Sequence, residues 1–230
     1  MIKKLIICSV ITALLFVIFS VIVSMNMLDS FDYDFTVHLG RRIPNSIDTL
    51  FSYFSLIGSF EITASVLIFA LLMTSGLLNS IFIFIIFSGT HGIELLGKMY
   101  LHHPGPPFQF FRYDLGFTFP SSYVQTGSSY PSGHSLRAVF LMVIFLMLVQ
   151  QSSLKSSVKH ILSALIIGFV VIMLVSRVSL GEHWVSDVIG GILLGLASSL
   201  FSGVFIPTHA SHRAQSGGKR ILPTHISTSR

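Results

Sequence analysis

Residues 161–205 read ILSALIIGFVVIMLVSRVSLGEHWVSDVIGGILLGLASSLFSGVF, and this stretch decides the fold. It holds two apolar runs, at residues 161–178 and 185–205, with a short polar segment between them. A helix needs about 20 apolar residues to cross the hydrocarbon core of a bilayer. The two runs therefore predict two membrane-spanning helices that are joined by a tight turn at one face of the membrane.

The remainder of the chain carries the same kind of apolar run. Of its 230 residues, 52% are hydrophobic and 10% are charged, whereas about 25% are charged in a typical soluble domain. Further runs near membrane-spanning length lie at residues 5–25, 62–78, 81–101 and 135–150. We predict an all-α fold, a polytopic membrane helix bundle of six transmembrane helices over residues 1–206.

The charged residues are divided unevenly between the two sides of this bundle. The cations at the termini and between the fourth and fifth spans are Lys3, Lys4, Lys155, Lys159, Arg213, Lys219, Arg220 and Arg230. The other cations and all nine acids map to the opposite side. Cytoplasmic segments are enriched in Lys and Arg, so both termini are predicted to lie in the cytoplasm. The basic tail at residues 207–230 has little to bury and is predicted to be a disordered cytoplasmic extension.

Two outward segments have their own composition. Residues 26–53 mix acids and Arg with apolar residues, which predicts a segment lying along the outer leaflet. Residues 102–131 are rich in Pro, Gly and aromatic residues, which favours an irregular loop covering a lipid headgroup site. The net charge of +5 is explained by orientation and contact with anionic membrane lipids, and neither a nucleic-acid module nor an obligate protein partner is evident.

The polar residues that could take part in catalysis or binding lie in three outward segments, residues 98–107, 130–137 and 176–187. In the third segment, His183 and Asp187 are four residues apart, a spacing that puts two helical side chains on one face. Asp187 is then able to orient the imidazole of His183 and leave its second ring nitrogen free to attack a substrate.

The second segment begins Tyr130-Pro131-Ser132-Gly133-His134-Ser135, just before the fourth apolar run. A proline and a glycine at a helix start leave backbone N–H groups without helical partners, and such groups bind anions. The N–H groups of Ser132, Gly133 and His134 are therefore candidates for holding a phosphate.

Pro131-Ser132-Gly133-His134, followed by Ser176-Arg177, five residues, His183, three residues and Asp187, resembles the type 2 phosphatidic acid phosphatase superfamily. The resemblance implies a membrane lipid phosphatase that uses no metal and no cofactor. It implies that His183 forms a phosphohistidine, that Asp187 orients it and that His134 protonates the leaving oxygen.

By the same resemblance, Lys98, Arg177, Ser132 and Gly133 hold the phosphate. The family's first motif is a lysine, six residues and then Arg-Pro, whereas Lys98 here is followed at that distance by Gly105-Pro106. The arginine is missing. Arg137 lies about one helical turn after His134, and we hypothesise that it supplies the lost charge.

Other interpretations remain open at this point. Glu94 and His91 share a helix face with Lys98, so they either tune the site or form ordinary structural pairs. His102-His103 with His134 and His183 is a weak indication of zinc, since a metal site needs three or four converging ligands. Phosphotransfer to another acceptor, and a catalytically silent lipid-binding or lipid-flipping protein, are the functional alternatives. Undecaprenyl diphosphate, phosphatidylglycerophosphate and phosphatidic acid all fit as substrates.

Overall fold

The computed structural model describes residues 2–74, 76–120 and 127–206, so the tail predicted at residues 207–230 lies outside the described residues. The described residues form helices and turns, which confirms the predicted all-α fold class. The α-helices are α1 (Ile2–Ser24), α2 (Asp29–Arg42), α3 (Asp48–Ile57), α4 (Phe60–Thr74), α5 (Leu77–Tyr100), α6 (Gly133–Gln151), α7 (Ser156–Ser179) and α8 (Val185–Ser202).

Five of these helices, α1, α5, α6, α7 and α8, are each long and apolar enough to cross a membrane. A sixth span is obtained when residues 45–57 and 60–73 are counted together, and the two parts of this pair meet at an angle of 54°. The sequence predicted this span at residues 62–78 and an interfacial segment up to residue 53. The structure differs at both ends, because α3 is the first half of the bent pair and residues 77 and 78 begin α5.

The bundle is organised around α8, which packs against both α1 and α6, while α6 also packs against α7. Two glycines on α8 permit the close approach to α6. A Cβ atom on Gly191 would lie 2.8 Å from the Cβ of Ser135, and one on Gly195 would lie 2.6 Å from the carbonyl oxygen of Leu136. Membrane helices gain van der Waals contact when small residues let their backbones approach, since lipid tails solvate apolar side chains well.

Apolar side chains form both the core of the bundle and much of its outer surface. One buried cluster joins α4, α5 and α6 through Leu67, Ile83, Phe87 and Phe140. The outward side chains of α1 are apolar as well, and Leu14 and Ile18 are each 58% exposed. In water such a surface would be an aggregation site, and in a bilayer it is the lipid-facing surface.

The chain reverses direction so that four helix ends meet at one side of the bundle. α5 and α7 end there, at Tyr100 and Ser179, while α6 and α8 begin there, at Gly133 and Val185. The three polar segments identified in the sequence lie at these four helix ends. The backbone N–H of Ser132 donates to the carbonyl oxygen of Asp187 at 3.0 Å and fastens the start of α6 to the start of α8.

We predict that Gly195→Leu lowers the thermal stability of the detergent-solubilised protein, because a side chain there meets the backbone of α6. Overpacking of this kind costs about 1–3 kcal/mol. The matched control is Gly168→Leu on α7, where no atom lies within 4 Å of an added Cβ atom. Thermal unfolding followed by circular dichroism measures both variants. Equal unfolding temperatures for the two would contradict the packing described for α6 and α8.

Candidate active site

A cavity of about 200 Å³ opens where the four helix ends meet. Residues from α3, α5, α6, α7 and three connecting segments form its wall. The lining residues are Ser55, Leu56, Ser59, Glu94, Lys98, Tyr113, Thr118, Gly133, His134, Arg137, Arg177, Glu182 and His183. Three cations, two carboxylates and two imidazoles therefore face one small space, a composition suited to binding an anion.

His183 and Asp187 are in contact as expected, but His183 lies in the turn before α8, so the contact comes from the start of this helix and not from one helical face. The Nδ1 atom of His183 lies 3.3 Å from Oδ2 of Asp187, and the same oxygen accepts the backbone N–H of Trp184 at 2.9 Å. Asp187 is fully buried, whereas His183 lines the cavity. With Nδ1 directed at the carboxylate, Nε2 is the ring nitrogen left for a reaction.

A second layer of buried polar groups lies behind Asp187. The Nε2 atom of His103 is 3.5 Å from Oδ1 of Asp187 and 3.8 Å from Oδ2 of Asp32 on α2. Ser186 donates to Asp32 through its backbone N–H at 2.9 Å and through its hydroxyl at 2.6 Å. Burial raises the pKa of Asp32 above its usual value, and the two hydrogen bonds from Ser186 oppose that rise. The helix that carries Asp187 is thus tied to α2 and to the loop after α5.

The start of α6 contributes His134 and Gly133 to the cavity. Ser132 lies outside the cavity wall and is fully buried, and its side chain caps the helix by accepting the N–H of Ser135 at 3.4 Å. The sequence predicted the N–H of Ser132 as a phosphate ligand. That part of the prediction needs correction, because this N–H is already donated to the carbonyl oxygen of Asp187. Gly133 and His134 remain the candidates at this helix end.

Lys98 and Arg137 approach the cavity from opposite sides of Glu94. Lys98 Nζ lies 2.8 Å from Oε1 of Glu94, and Arg137 Nη1 lies 3.8 Å from Oε2. Arg137 also donates from Nε to the carbonyl oxygen of Gly58 at 3.0 Å, and its Nη1 lies 3.4 Å from Nε2 of His91. The shared face of His91, Glu94 and Lys98 therefore carries a connected polar network, with Glu94 between two cations.

Arg177 is the most enclosed of the three cations, with 3% of the residue exposed. Its terminal nitrogens contact the carboxylate of Glu182 and the hydroxyl of Ser55. Its Nε–H is buried and has no hydrogen-bond partner among the residues that the structure describes. An unpaired buried donor of this kind is costly unless a ligand satisfies it.

The cavity changes the acid–base properties of the two titratable groups in the turn before α8. Burial, and then the positive charges of Arg177 and Lys98, hold the pKa of His183 well below its usual value of 6.5. Burial raises the pKa of Glu182 above its usual value, and the charge of Arg177 opposes this rise. At neutral pH, His183 is therefore an uncharged imidazole, which is the form that acts as a nucleophile.

The loop between α5 and α6 closes over part of the cavity. Tyr113 and Thr118 line the wall, and the loop is fixed by the backbone N–H of Arg112, which donates to the carbonyl oxygen of Leu180 at 2.9 Å. The side chain of Arg112 pairs with Asp48 on α3. Residues 121–126 of this loop lie outside the described residues.

Of the residues predicted from sequence, the structure brings Lys98, Gly133, His134, Arg137, Arg177 and His183 to one cavity, with Asp187 behind His183. The sequence analysis missed Ser55, Ser59, Tyr113, Thr118 and Glu182. Glu182 directly precedes His183, so an acid next to the nucleophile candidate was the available signal. Ser55 on α3, Ser59 after it and the two loop residues gave none, because only folding brings them to the site.

A separate apolar groove of about 330 Å³ lies between α4, α6 and α7. Its wall includes Thr63, Leu141, Phe169 and Met173. Gly58 belongs to this wall as well, and a Cβ atom there would lie 3.0 Å from the ring of His134. The groove therefore begins within contact distance of the polar cavity.

Comparisons with known proteins agree with this architecture. A family model described as the PAP2 superfamily matches residues 64–210. The fold is similar to the crystal structure of a transmembrane PAP2-type phosphatidylglycerolphosphate phosphatase from Bacillus subtilis, with a TM-score of 0.67 and 20% sequence identity, covering 94% of this chain and 99% of that chain. No curated protein matches the sequence. The family match spans more than half of the chain and confirms the predicted resemblance: the protein belongs to the PAP2 superfamily and has the fold of a membrane phosphatase.

Proposed function

We propose that this protein hydrolyses the phosphate or diphosphate group of a membrane lipid at the outward face of the bilayer through a phosphohistidine intermediate. The observation that carries the proposal is the cavity in which an uncharged His183, oriented by Asp187, faces His134 and three cations. The named function of the Bacillus subtilis relative, a phosphatidylglycerolphosphate phosphatase, supports a lipid phosphate as substrate.

In the first step, Nε2 of His183 attacks phosphorus while the bond between phosphorus and the leaving oxygen breaks. His134 donates a proton to that oxygen, so the lipid product leaves as a neutral alcohol or as a lipid phosphate. Asp187 stabilises the positive charge that develops on the imidazole of His183. The phosphoryl group is then covalently attached to the histidine.

In the second step, water attacks the phosphorus and gives its proton to the neutral His134. The phosphorus–nitrogen bond breaks, its electron pair returns to His183, and inorganic phosphate is released. Lys98, Arg137 and Arg177 stabilise the negative charge spread over the phosphoryl oxygens in both steps. These three positive charges serve the purpose that a metal ion serves in many phosphatases, which supports metal-independent turnover.

The membrane geometry supports an outward site and an amphipathic substrate. The cavity lies at the side opposite Lys3, Lys4, Lys155 and Lys159, and positive loops are typically cytoplasmic. The apolar groove beside His134 offers a surface for the part of the lipid chain nearest the headgroup, with the rest of the chain in the bilayer.

The first prediction on function concerns His183→Ala. Phosphate release from a panel of lipid phosphates and diphosphates, in detergent with EDTA, is expected to fall about a thousandfold or more, because the variant lacks the nucleophile. His160→Ala, an exposed histidine at the far end of α7, is the matched control and retains activity. Parent enzyme quenched in alkali is expected to carry phosphate on histidine that is stable to alkali and labile to acid. Full activity of His183→Ala would contradict the proposed mechanism.

The second prediction concerns pH. Because the pKa of His183 is lowered, the neutral nucleophile persists as pH falls below 6.5 and is lost only when pH passes the depressed pKa. The acid limb of kcat/KM is therefore expected below pH 6.5. A soluble phosphate ester with a nitrophenolate leaving group gives the profile without titration of a lipid headgroup. An acid limb above pH 6.5 would contradict a neutral His183 held by burial and nearby cations.

The third prediction concerns Arg137. Arg137→Gln is expected to lower kcat/KM by about 10- to 100-fold, since a charge-assisted hydrogen bond contributes roughly 1.5–3 kcal/mol. Arg137→Lys keeps the charge and is expected to recover part of the loss. Thermal unfolding of both variants separates a folding defect from a binding defect. Unchanged turnover and unchanged substrate affinity in a folded Arg137→Gln protein would show that this arginine does not replace the missing first-motif arginine.

A further inference from the structure

The cavity already holds two carboxylates of its own at the places proposed for phosphate. One is Glu182, whose carboxylate contacts a terminal nitrogen of Arg177. The hydroxyl of Ser55 also lies 3.3 Å from the same carboxylate, so Glu182 is bound by an arginine and a hydroxyl together. An incoming phosphoryl oxygen that binds Arg177 must share this guanidinium with Glu182.

The second carboxylate is Glu94, and it lies against the start of α6. An added Cβ atom on Gly133 would be 2.6 Å from the carboxylate carbon of Glu94. Glu94 is also bound by Lys98 at 2.8 Å and lies 3.8 Å from Arg137. A carboxylate thus stands beside the glycine at a helix N-terminus, where an anion is stabilised.

These two carboxylates fix how much negative charge the cavity accepts. The three lining cations Lys98, Arg137 and Arg177 face Glu94 and Glu182, so these five side chains leave one positive charge in excess. The protonated His134 of the proposed first step adds one more. The headgroup of a phosphomonoester brings up to two negative charges, and a diphosphate brings one more. In a buried site each additional uncompensated charge is expensive, since the desolvation of an ion is repaid only by a close counter-charge.

We propose that Glu94 and Glu182 make the site selective for lipid phosphomonoesters against lipid diphosphates. This inference rests on the proposed phosphatase function and narrows its substrate class. A monoester needs one phosphoryl group among the three cations. A diphosphate places a second anionic phosphoryl group in the same 200 Å³ cavity, beside carboxylates that repel it.

The test compares an isoprenyl phosphate with the isoprenyl diphosphate of the same chain length, using parent enzyme and Glu182→Gln. The amide keeps the shape of the side chain and removes its charge. The ratio of kcat/KM for diphosphate to kcat/KM for monophosphate is expected to rise roughly tenfold in the variant. Intrinsic reactivity of the two esters is common to both enzymes, so the change in this ratio isolates the contribution of the site.

Asp114→Asn is the matched control, because it removes one negative charge at the same end of the bundle. Asp114 does not line the cavity. The ratio is expected to stay at the parent value in this control. An unchanged ratio in a folded Glu182→Gln protein overturns the proposed selectivity, and so does a rise of equal size in Asp114→Asn. A parent enzyme that releases phosphate from neither lipid instead overturns the proposed function itself.

Inhibition of the parent enzyme keeps the inference testable when Glu182→Gln does not fold. Inorganic phosphate and pyrophosphate present one and two phosphoryl groups without a lipid chain. Pyrophosphate is expected to inhibit at least roughly tenfold more weakly than phosphate, in line with the repulsion by Glu94 and Glu182. Equal or stronger inhibition by pyrophosphate would overturn selectivity for the monoester.

Discussion

The close contact between α6 and α8 is the constraint on which the site depends. Gly191 and Gly195 let the two backbones approach, and the hydrogen bond from Ser132 to the carbonyl oxygen of Asp187 joins their ends at the cavity. His134 and His183 stand beside these two ends, and each is held by the helix start next to it. A wider separation of the helices would move the proposed general acid away from the proposed nucleophile, and geometry of this kind decides the rate of a two-group reaction.

Charge balance is the second constraint, and it follows from the first. Bringing four helix ends together places Lys98, Arg137 and Arg177 around one cavity at the edge of a membrane, where isolated charges are costly. Glu94 and Glu182 compensate part of that charge within the protein. Under the proposed selectivity, the same carboxylates compete with a substrate, so the groups that stabilise the clustered cations also define the anion that the site accepts.

Most of the fold, and the identity of the central residues, could be predicted from sequence because their signals are local. Apolar run length predicts a membrane helix, and His183 and Asp187 are close in sequence, although their contact is made across the start of α8 and not along one helical face. The bent α3–α4 pair was not predicted, since neither part is long enough alone, although its break falls at Gly58-Ser59, a dipeptide typical of helix kinks. Ser55 and the buried group of Asp32 and His103 depend on contacts between distant segments, which spacing along the chain does not encode.

Under the proposed function, a cation from another element takes the place of the missing arginine of the first motif. The family pattern supplies three cations, a lysine and an arginine from the first motif and an arginine from the third. In this chain Gly105 stands at the position of the first-motif arginine. It lies against Ser129 and does not line the cavity. Arg137 faces the cavity from α6, so three cations still surround the space. What the chemistry requires is positive charge near phosphorus, and a helix turn after His134 delivers it as directly as a loop does.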